Sequence, residues 1–228
     1  MTETATIAAQ LTEKIANKTA RVGIVGLGYV GLPLAVEFAN AGFAVTGIDL
    51  IPSKTERINA GDSYIQDVSS AKVAALVEAG KLRATTDFSV IAELGTINIC
   101  VPTPLRKTKD PDMSYIVSAC QEIAKFIHPG MLVILESTTY PGTTDELVMP
   151  MLSGTGLQVG RDFFLCFSPE RVDPGNATFQ THNIPKVVGG STPACTQLGA
   201  HFCREGQAAG KYLPHDQHRA GERAGDDV

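Results

Sequence analysis

The sequence predicts an α/β fold built on a doubly wound parallel sheet, and three observations carry that expectation. From about residue 20 onward, short β-branched runs alternate with amphipathic helical stretches. A glycine-rich turn, "VGLGYVG", joins the first such run to the first such helix. Hydrophobic residues make up 43% of the chain and charged residues 19%, the balance of a globular domain with a packed core.

In chain order, residues 5–17 are expected as a short helix ahead of "RVGIVG". That run and "AVTGIDL" are expected strands on either side of the helical pattern "VGLPLAVEFANAG". Together they make a βαβ unit long enough for a parallel crossover. Helices are expected at 53–60 and at 70–80 ("SAKVAALVEAG"). "TINICV" follows as a strand, "DMSYIVSACQEIAKFI" as a helix and "MLVILES" as a strand. "TTDELVMPML" reads as a helix, "FFLCFS" and "KVVGG" as the last strands, and 193–202 as the start of a final helix. Strands alternating with helices imply a parallel sheet covered on both faces. The resulting division is a helical extension at 1–17, one domain at 18–202, and a tail at 203–228 whose composition differs from everything before it.

Composition narrows the function classes. A net charge of −5 argues against nucleic acid as a partner. No run of about 18 apolar residues predicts a membrane span. The opening "MTETATIAAQLTEKIANKTA" lacks a signal-peptide core, so a cytoplasmic location is expected. The five cysteines are scattered without a CxxC pair, which disfavours zinc and disulfides and leaves most of them as small buried hydrophobes. No metal site is expected. His128 and His182 are assigned no chemistry.

Gly26, Gly28 and Gly31 stand in G-x-G-x-x-G spacing between strand and helix, and Asp49 ends the next strand. In this setting the pattern predicts a Rossmann-like dinucleotide site. Gly26 permits the tight turn, Gly28 lets backbone approach a pyrophosphate, and Gly31 lets helix and strand pack closely. Tyr29 and Val30 fill the turn, and the helix start offers free N–H groups to phosphate. Asp49 would accept ribose hydroxyls and repel a 2′-phosphate, favouring NAD over NADP, with Lys54 near the adenosine side. The alternative is a plain structural turn beside a solvated aspartate.

Three further strand ends carry polar residues among turn formers: Thr103 in "NICVPTP", 137–139 in "ILESTTYPGTT", and Glu170 with Arg171 in "FLCFSPERVDPG". Capping or turn formation accounts for each singly. Convergence on one sheet edge, where ligands of open parallel sheets bind, singles out Thr138 and Glu170.

Taken in this order, "VGIVGLGYVGLPLA", "NICVPTP", "ESTTYPGTT" and "SPERVDPGN" resemble the amino-terminal part of the UDP-glucose/GDP-mannose dehydrogenases. The likeness covers residues 18–202 and is greatest to the UDP-N-acetylglucosamine 6-dehydrogenase branch. It implies NAD-dependent, four-electron oxidation of a UDP-sugar C6 alcohol to the uronic acid through a cysteine thioester. It also implies a homodimer and a place in nucleotide-sugar metabolism and polysaccharide biosynthesis. Gly26, Gly28, Gly31, Asp49, Lys54 and Thr103 would hold NAD, Thr138 would help place the catalytic water, and Glu170 would be the acid/base. The UDP-glucose branch has a second Glu four residues after the first, where this chain has Pro174; the N-acetyl branch shares the proline.

The resemblance also implies groups that do not appear here: a Lys and an Asn on a long linking helix, a nucleophilic Cys in a glycine-rich loop, and the sugar-nucleotide half. None of the five cysteines has that context. Permitted codons for "GQAAGKYLPHDQHRAGERAGDDV", read one base later, can encode "VKLLENTFRTINIALANELAMM", which has helical periodicity and the family's Lys and Asn four apart. A frameshift near residues 202–205 is therefore expected, and with it a Rossmann-like domain truncated before the linking helix and second domain, inactive in sugar oxidation. The rivals are a non-catalytic NAD-binding or interaction fragment, a native disordered tail, and a 3-hydroxyacid-type dehydrogenase, which would not carry "SPERVDPGN".

Overall fold

A computed structural model describes residues 3–106, 111–169 and 186–206. Seven short strands form one sheet: β1 (Arg21–Val25), β2 (Ala44–Ile48), β3 (Leu82–Thr85), β4 (Thr96–Ile99), β5 (Leu132–Leu135), β6 (Phe164–Phe167) and β7 (Gly189–Gly190). Their order across the sheet is β3-β2-β1-β4-β5-β6-β7. The first six run parallel, and the central β4, β5 and β6 are buried on both faces, as strands of a covered parallel sheet are. The strand order reverses between β1 and β4, and a crevice opens there at the carboxyl ends of the strands.

Seven α-helices accompany the sheet: α1 (Glu3–Ala16), α2 (Gly31–Asn40), α3 (Pro52–Asn59), α4 (Ser70–Glu78), α5 (Ser114–Ala124), α6 (Met149–Ser153) and α7 (Pro193–Gly206). Strand side chains alternate between two cores. Val22, Ile24, Leu132, Ile134, Phe164 and Cys166 join Leu11 and Ile15 of α1, Phe38 of α2 and Phe202 of α7. Ile97, Ile99, Val133, Leu135 and Leu165 face the other way, onto Ile116 and Ile123 of α5 and Leu152 of α6. All five cysteines are buried, as small hydrophobes would be.

The structure departs from the sequence expectation in four places. First, β7 pairs antiparallel to β6 and is only Gly189–Gly190, so most of "KVVGG" is not strand. Lys186 there enters a buried ion pair instead. Second, β3 adds a strand on the far edge, where Leu82 and Ala84 alternate inward with exposed Arg83. Four residues offer too short a period to be noticed. Third, the helix expected in "TTDELVMPML" begins as a π-helical turn, Thr143–Val148, before α6. Pro150 has no N–H to give the Glu146 carbonyl, and the register widens.

Fourth, α7 continues past Phe202 to Gly206, beyond the change in composition. Phe202 stacks on Phe38 with ring centroids 4.5 Å apart and meets Phe43 edge-on at 5.9 Å. One turn on, Lys18 Nζ pairs with the Glu205 carboxylate and donates to the Glu205 carbonyl at 2.8 Å. Glu170 and the tail after Gly206 lie outside the described residues, as does His182.

Candidate cofactor site

The three loop glycines are required for three different reasons. Gly26 has φ 92°, a left-handed conformation, and a Cβ there would lie 2.7 Å from the Cys100 carbonyl oxygen. At Gly31 a Cβ would come 1.8 Å from the Gly26 carbonyl oxygen, so α2 can start against the loop only without a side chain. A Cβ at Gly28 would meet nothing within 4 Å. Among the described residues no neighbour demands glycine at Gly28, and the space beside it is open. The residue before α2, Val30, makes no side-chain cap and the first turn holds no acidic residue; the Leu32 and Leu34 N–H groups donate to the Gly28 and Val30 carbonyls and Pro33 has none, so an anion would be met by the N–H groups ahead of Leu32.

Asp49 follows β2 and is 7% exposed. Its carboxylate accepts the Leu27 N–H at 2.8 Å, the Ile51 N–H at 3.0 Å and the Lys54 ammonium at 3.0 Å. The acid thus ties the glycine loop to α3, and Lys54 stands beside it as expected. Tyr64, absent from the sequence reading, donates its hydroxyl to the Leu27 carbonyl at 2.6 Å. Burial, and after it the Asp49 charge, raises the Tyr64 pKa well above the ordinary phenol value, so the group stays a donor.

Two cavities meet at this loop. A cleft of about 650 Å³ runs from Asp49, Lys54 and Tyr64 past Gly26, Gly28, Tyr29 and Val30 to Thr103, Glu136, Ser137 and Thr138. Beside it a hollow of about 230 Å³ is walled by Ile48, Leu50, Ile51, Phe88, Val101 and Tyr115. An apolar slot beside a carboxylate and a glycine turn has the shape and lining that suit a flat base. Phe88 and Tyr115 carried no motif in the sequence; a short 3-10 turn (Phe88–Glu93) and the start of α5 bring them there.

Every proposed cofactor residue among the described ones therefore borders one continuous groove except Gly31, which acts through packing. Ser137 is partly spoken for, donating to the Val101 carbonyl at 2.7 Å and so joining the ends of β4 and β5. Thr138 is exposed on the cleft wall, and Thr103 is half-buried between Pro102 and Pro104. Behind this wall, Glu136 and Lys186 are joined at 2.7 Å with both side chains 1% exposed. Among the described residues, the buried hydroxyls of Thr139, Thr144 and Ser168 find no hydrogen-bond partner. Among the described residues, no helix is long and apolar enough to cross a membrane.

Comparison with known proteins agrees with this geometry. The sequence model of the UDP-glucose/GDP-mannose dehydrogenase family, NAD binding domain, matches residues 20–205. The chain is 38% identical over 196 residues to UDP-N-acetyl-D-glucosamine 6-dehydrogenase of Pseudomonas aeruginosa, covering 86% of this chain and 46% of that one. It is 34% identical over 185 residues to UDP-N-acetyl-D-mannosamine dehydrogenase of Pyrococcus horikoshii, covering 81% of this chain and 44% of that one. The fold superposes on NDP-N-acetyl-D-galactosaminuronic acid dehydrogenase from Methanosarcina mazei Go1 with a TM-score of 0.83 at 33% identity, over 93% of this chain and 48% of that one. The chain spans about half the length of the curated relatives it matches. With the glycine turn, the acid after β2 and the sheet order all of one type, the chain belongs to the UDP-glucose/GDP-mannose dehydrogenase family and matches its NAD-binding domain.

Proposed function

We propose that this chain is the NAD-binding part of an enzyme that oxidises the C6 alcohol of a UDP-N-acetylhexosamine to the uronic acid. The observation that carries the reading is the single groove joining Asp49 and the glycine loop to the β4 and β5 strand ends. The names of its relatives support the sugar class. Oxidation of alcohol to acid removes four electrons, and NAD, when bound, accepts a hydride in each of two steps. The same reading makes a homodimer the assembly of the whole enzyme.

Each residue then has a role. The N–H groups at the start of α2 receive the pyrophosphate, with Gly28 leaving room for it. Asp49 accepts the adenosine ribose hydroxyls, and Lys54 fixes the aspartate. Tyr29, Val30 and Thr103 line the path of the dinucleotide. Thr138 helps hold the water that hydrolyses the acyl intermediate, and Glu170 serves as its acid/base. A carboxyl group at a closed sheet edge is suited to that work because desolvation moves its pKa toward neutrality.

The acyl route through a cysteine needs an accessible thiolate, and this chain's own cysteines are poor candidates. All five are buried. Burial pushes the Cys120 thiol up to about 12 and holds Cys166 well above its ordinary value. We therefore read the polypeptide as one that binds NAD without turning over a UDP-sugar. On this reading the isolated chain is a non-catalytic NAD-binding fragment. Incubation of the purified protein with NAD and UDP-N-acetylglucosamine tests it: NAD binding without NADH formation is expected, and measurable turnover would defeat it.

The composition of 203–228 fits a one-base shift of frame near residues 202–205. Sequencing the gene decides the matter. The idea fails if no one-base shift restores a helix with Lys and Asn four apart and a glycine-rich Cys loop downstream.

A further inference from the structure

Glu136 and Lys186 form a pair that the cofactor reading leaves without a role. Each is 1% exposed, and Lys186 Nζ donates to Glu136 Oε2 at 2.7 Å. Two charges lose their hydration in such a place, and an apolar pair of similar volume would fill it without that loss. The pair is therefore weak evidence for stability, and its position matters more than its energy.

Glu136 is the first residue after β5, and its N–H donates to the Ile99 carbonyl at 2.9 Å. It continues the row Leu132–Ile134, which faces the core beneath α7, and Lys186 approaches from the lead-in to β7 just ahead of Val188 in that core. The next residue, Ser137, is fastened to Val101 at the end of β4. Successive side chains of an extended segment point to opposite faces. The turn after β5 is thus held from both faces, by Lys186 on one and by Val101 on the other. Glu136, Ser137 and Thr138 all line the cleft, and Thr138 stands exposed directly after the two anchored residues.

This turn lies three strands from β2 in the sheet order, about 14 Å at the usual strand spacing. A dinucleotide with its adenosine ribose on Asp49 extends across β1 and β4 toward it. We propose that the Glu136–Lys186 pair is a positioning device for the nicotinamide half of NAD. It fixes the 137–139 turn against which that half rests and has no part in holding the adenosine half. The inference rests on the cofactor reading given above.

The test compares NAD with ADP-ribose, which lacks the nicotinamide, by titration calorimetry on the full chain. Glu136→Gln and Lys186→Met are expected to weaken NAD binding about tenfold while ADP-ribose binds as it does to the unaltered protein. Removing one partner of a buried pair can unfold a domain, so the double variant Glu136→Leu/Lys186→Met, which buries no charge, is measured as well. It is expected to keep its melting temperature and still lose affinity for NAD alone. Equal losses for both ligands, or no loss for either in the double variant, would overturn the proposal. Failure of the unaltered chain to bind ADP-ribose would instead overturn the cofactor reading.

Discussion

Around β2 the polar groups close on one another, whereas around β5 several do not. Asp49 accepts from Leu27, Ile51 and Lys54, and Tyr64 caps the Leu27 carbonyl. Around β5 and β6 the buried hydroxyls of Thr139, Thr144 and Ser168 find no partner among the described residues, and the adjoining helical turn is π rather than α. Both regions border the same cleft or its walls, and both sit on strands of one sheet. On the function proposed above, the difference separates binding from chemistry. A site that only holds a ligand can be built rigid and satisfied in advance, while unmet polar capacity and irregular helical geometry collect where groups must change partners.

The largest expected effect probes what joins the two regions. Phe202 of α7 stacks on Phe38 of α2, so Phe202→Ala should lower the unfolding free energy by about 3–5 kcal/mol, read by urea denaturation. Next, Gly31→Ala places a methyl against the Gly26 backbone, which cannot swing aside. It should cost about 1–3 kcal/mol and abolish NAD binding, whereas Gly28→Ala should leave the melting temperature unchanged and still weaken NAD. Asp49→Asn should weaken NAD about tenfold by replacing charge-assisted hydrogen bonds, and should narrow the preference over NADP; binding titrations with both cofactors measure it.

Thr144→Val sharpens the contrast from the other side. It removes a buried hydroxyl with no partner and should raise stability by about 1 kcal/mol, observed as a higher melting temperature. Thr55→Val, which loses the bond to the Pro52 carbonyl, should lower it by a similar amount. The smallest effect is at Lys18–Glu205. The Lys18 hydrogen bond holds the Glu205 carboxyl below its ordinary pKa. A depressed carboxyl pKa stabilises the fold above the ordinary carboxylate range and ceases to do so as pH falls through the folded-state value. Lys18→Met should therefore cost about 0.5 kcal/mol more at neutral pH than in acid, as read from melting curves across pH.

What could be read from the sequence was what local spacing encodes. Gly26, Gly28 and Gly31 sit within one turn, and Asp49 and Lys54 within one strand–helix junction, so each was legible before any coordinates. Tyr64 lies 37 residues from the carbonyl it caps, and Lys186 50 residues from Glu136. Such partners are brought together by sheet order, and nothing in their neighbours announces the meeting. Two strands fared worst for the same reason. β3 is too short to display a period, and β7 owes its antiparallel direction to pairing with β6 rather than to its two glycines. The π-helical turn was hidden because a proline inside a helical pattern signals an interruption without saying which one.

The tie between Lys18 and Glu205 spans 187 residues, and it has a consequence for the order of events during synthesis. α1 leaves the ribosome before every strand and helix described after it, yet it packs against α7, the last helix described. At common elongation rates the intervening chain takes about 10–40 s to make. For that interval Leu11 and Ile15 must stay uncovered or be shielded by a chaperone, while β1, α2 and β2 can pair as soon as they emerge. A change in the residues of α7 would thus be felt first at the opposite end of the chain, as a delay in docking its opening helix.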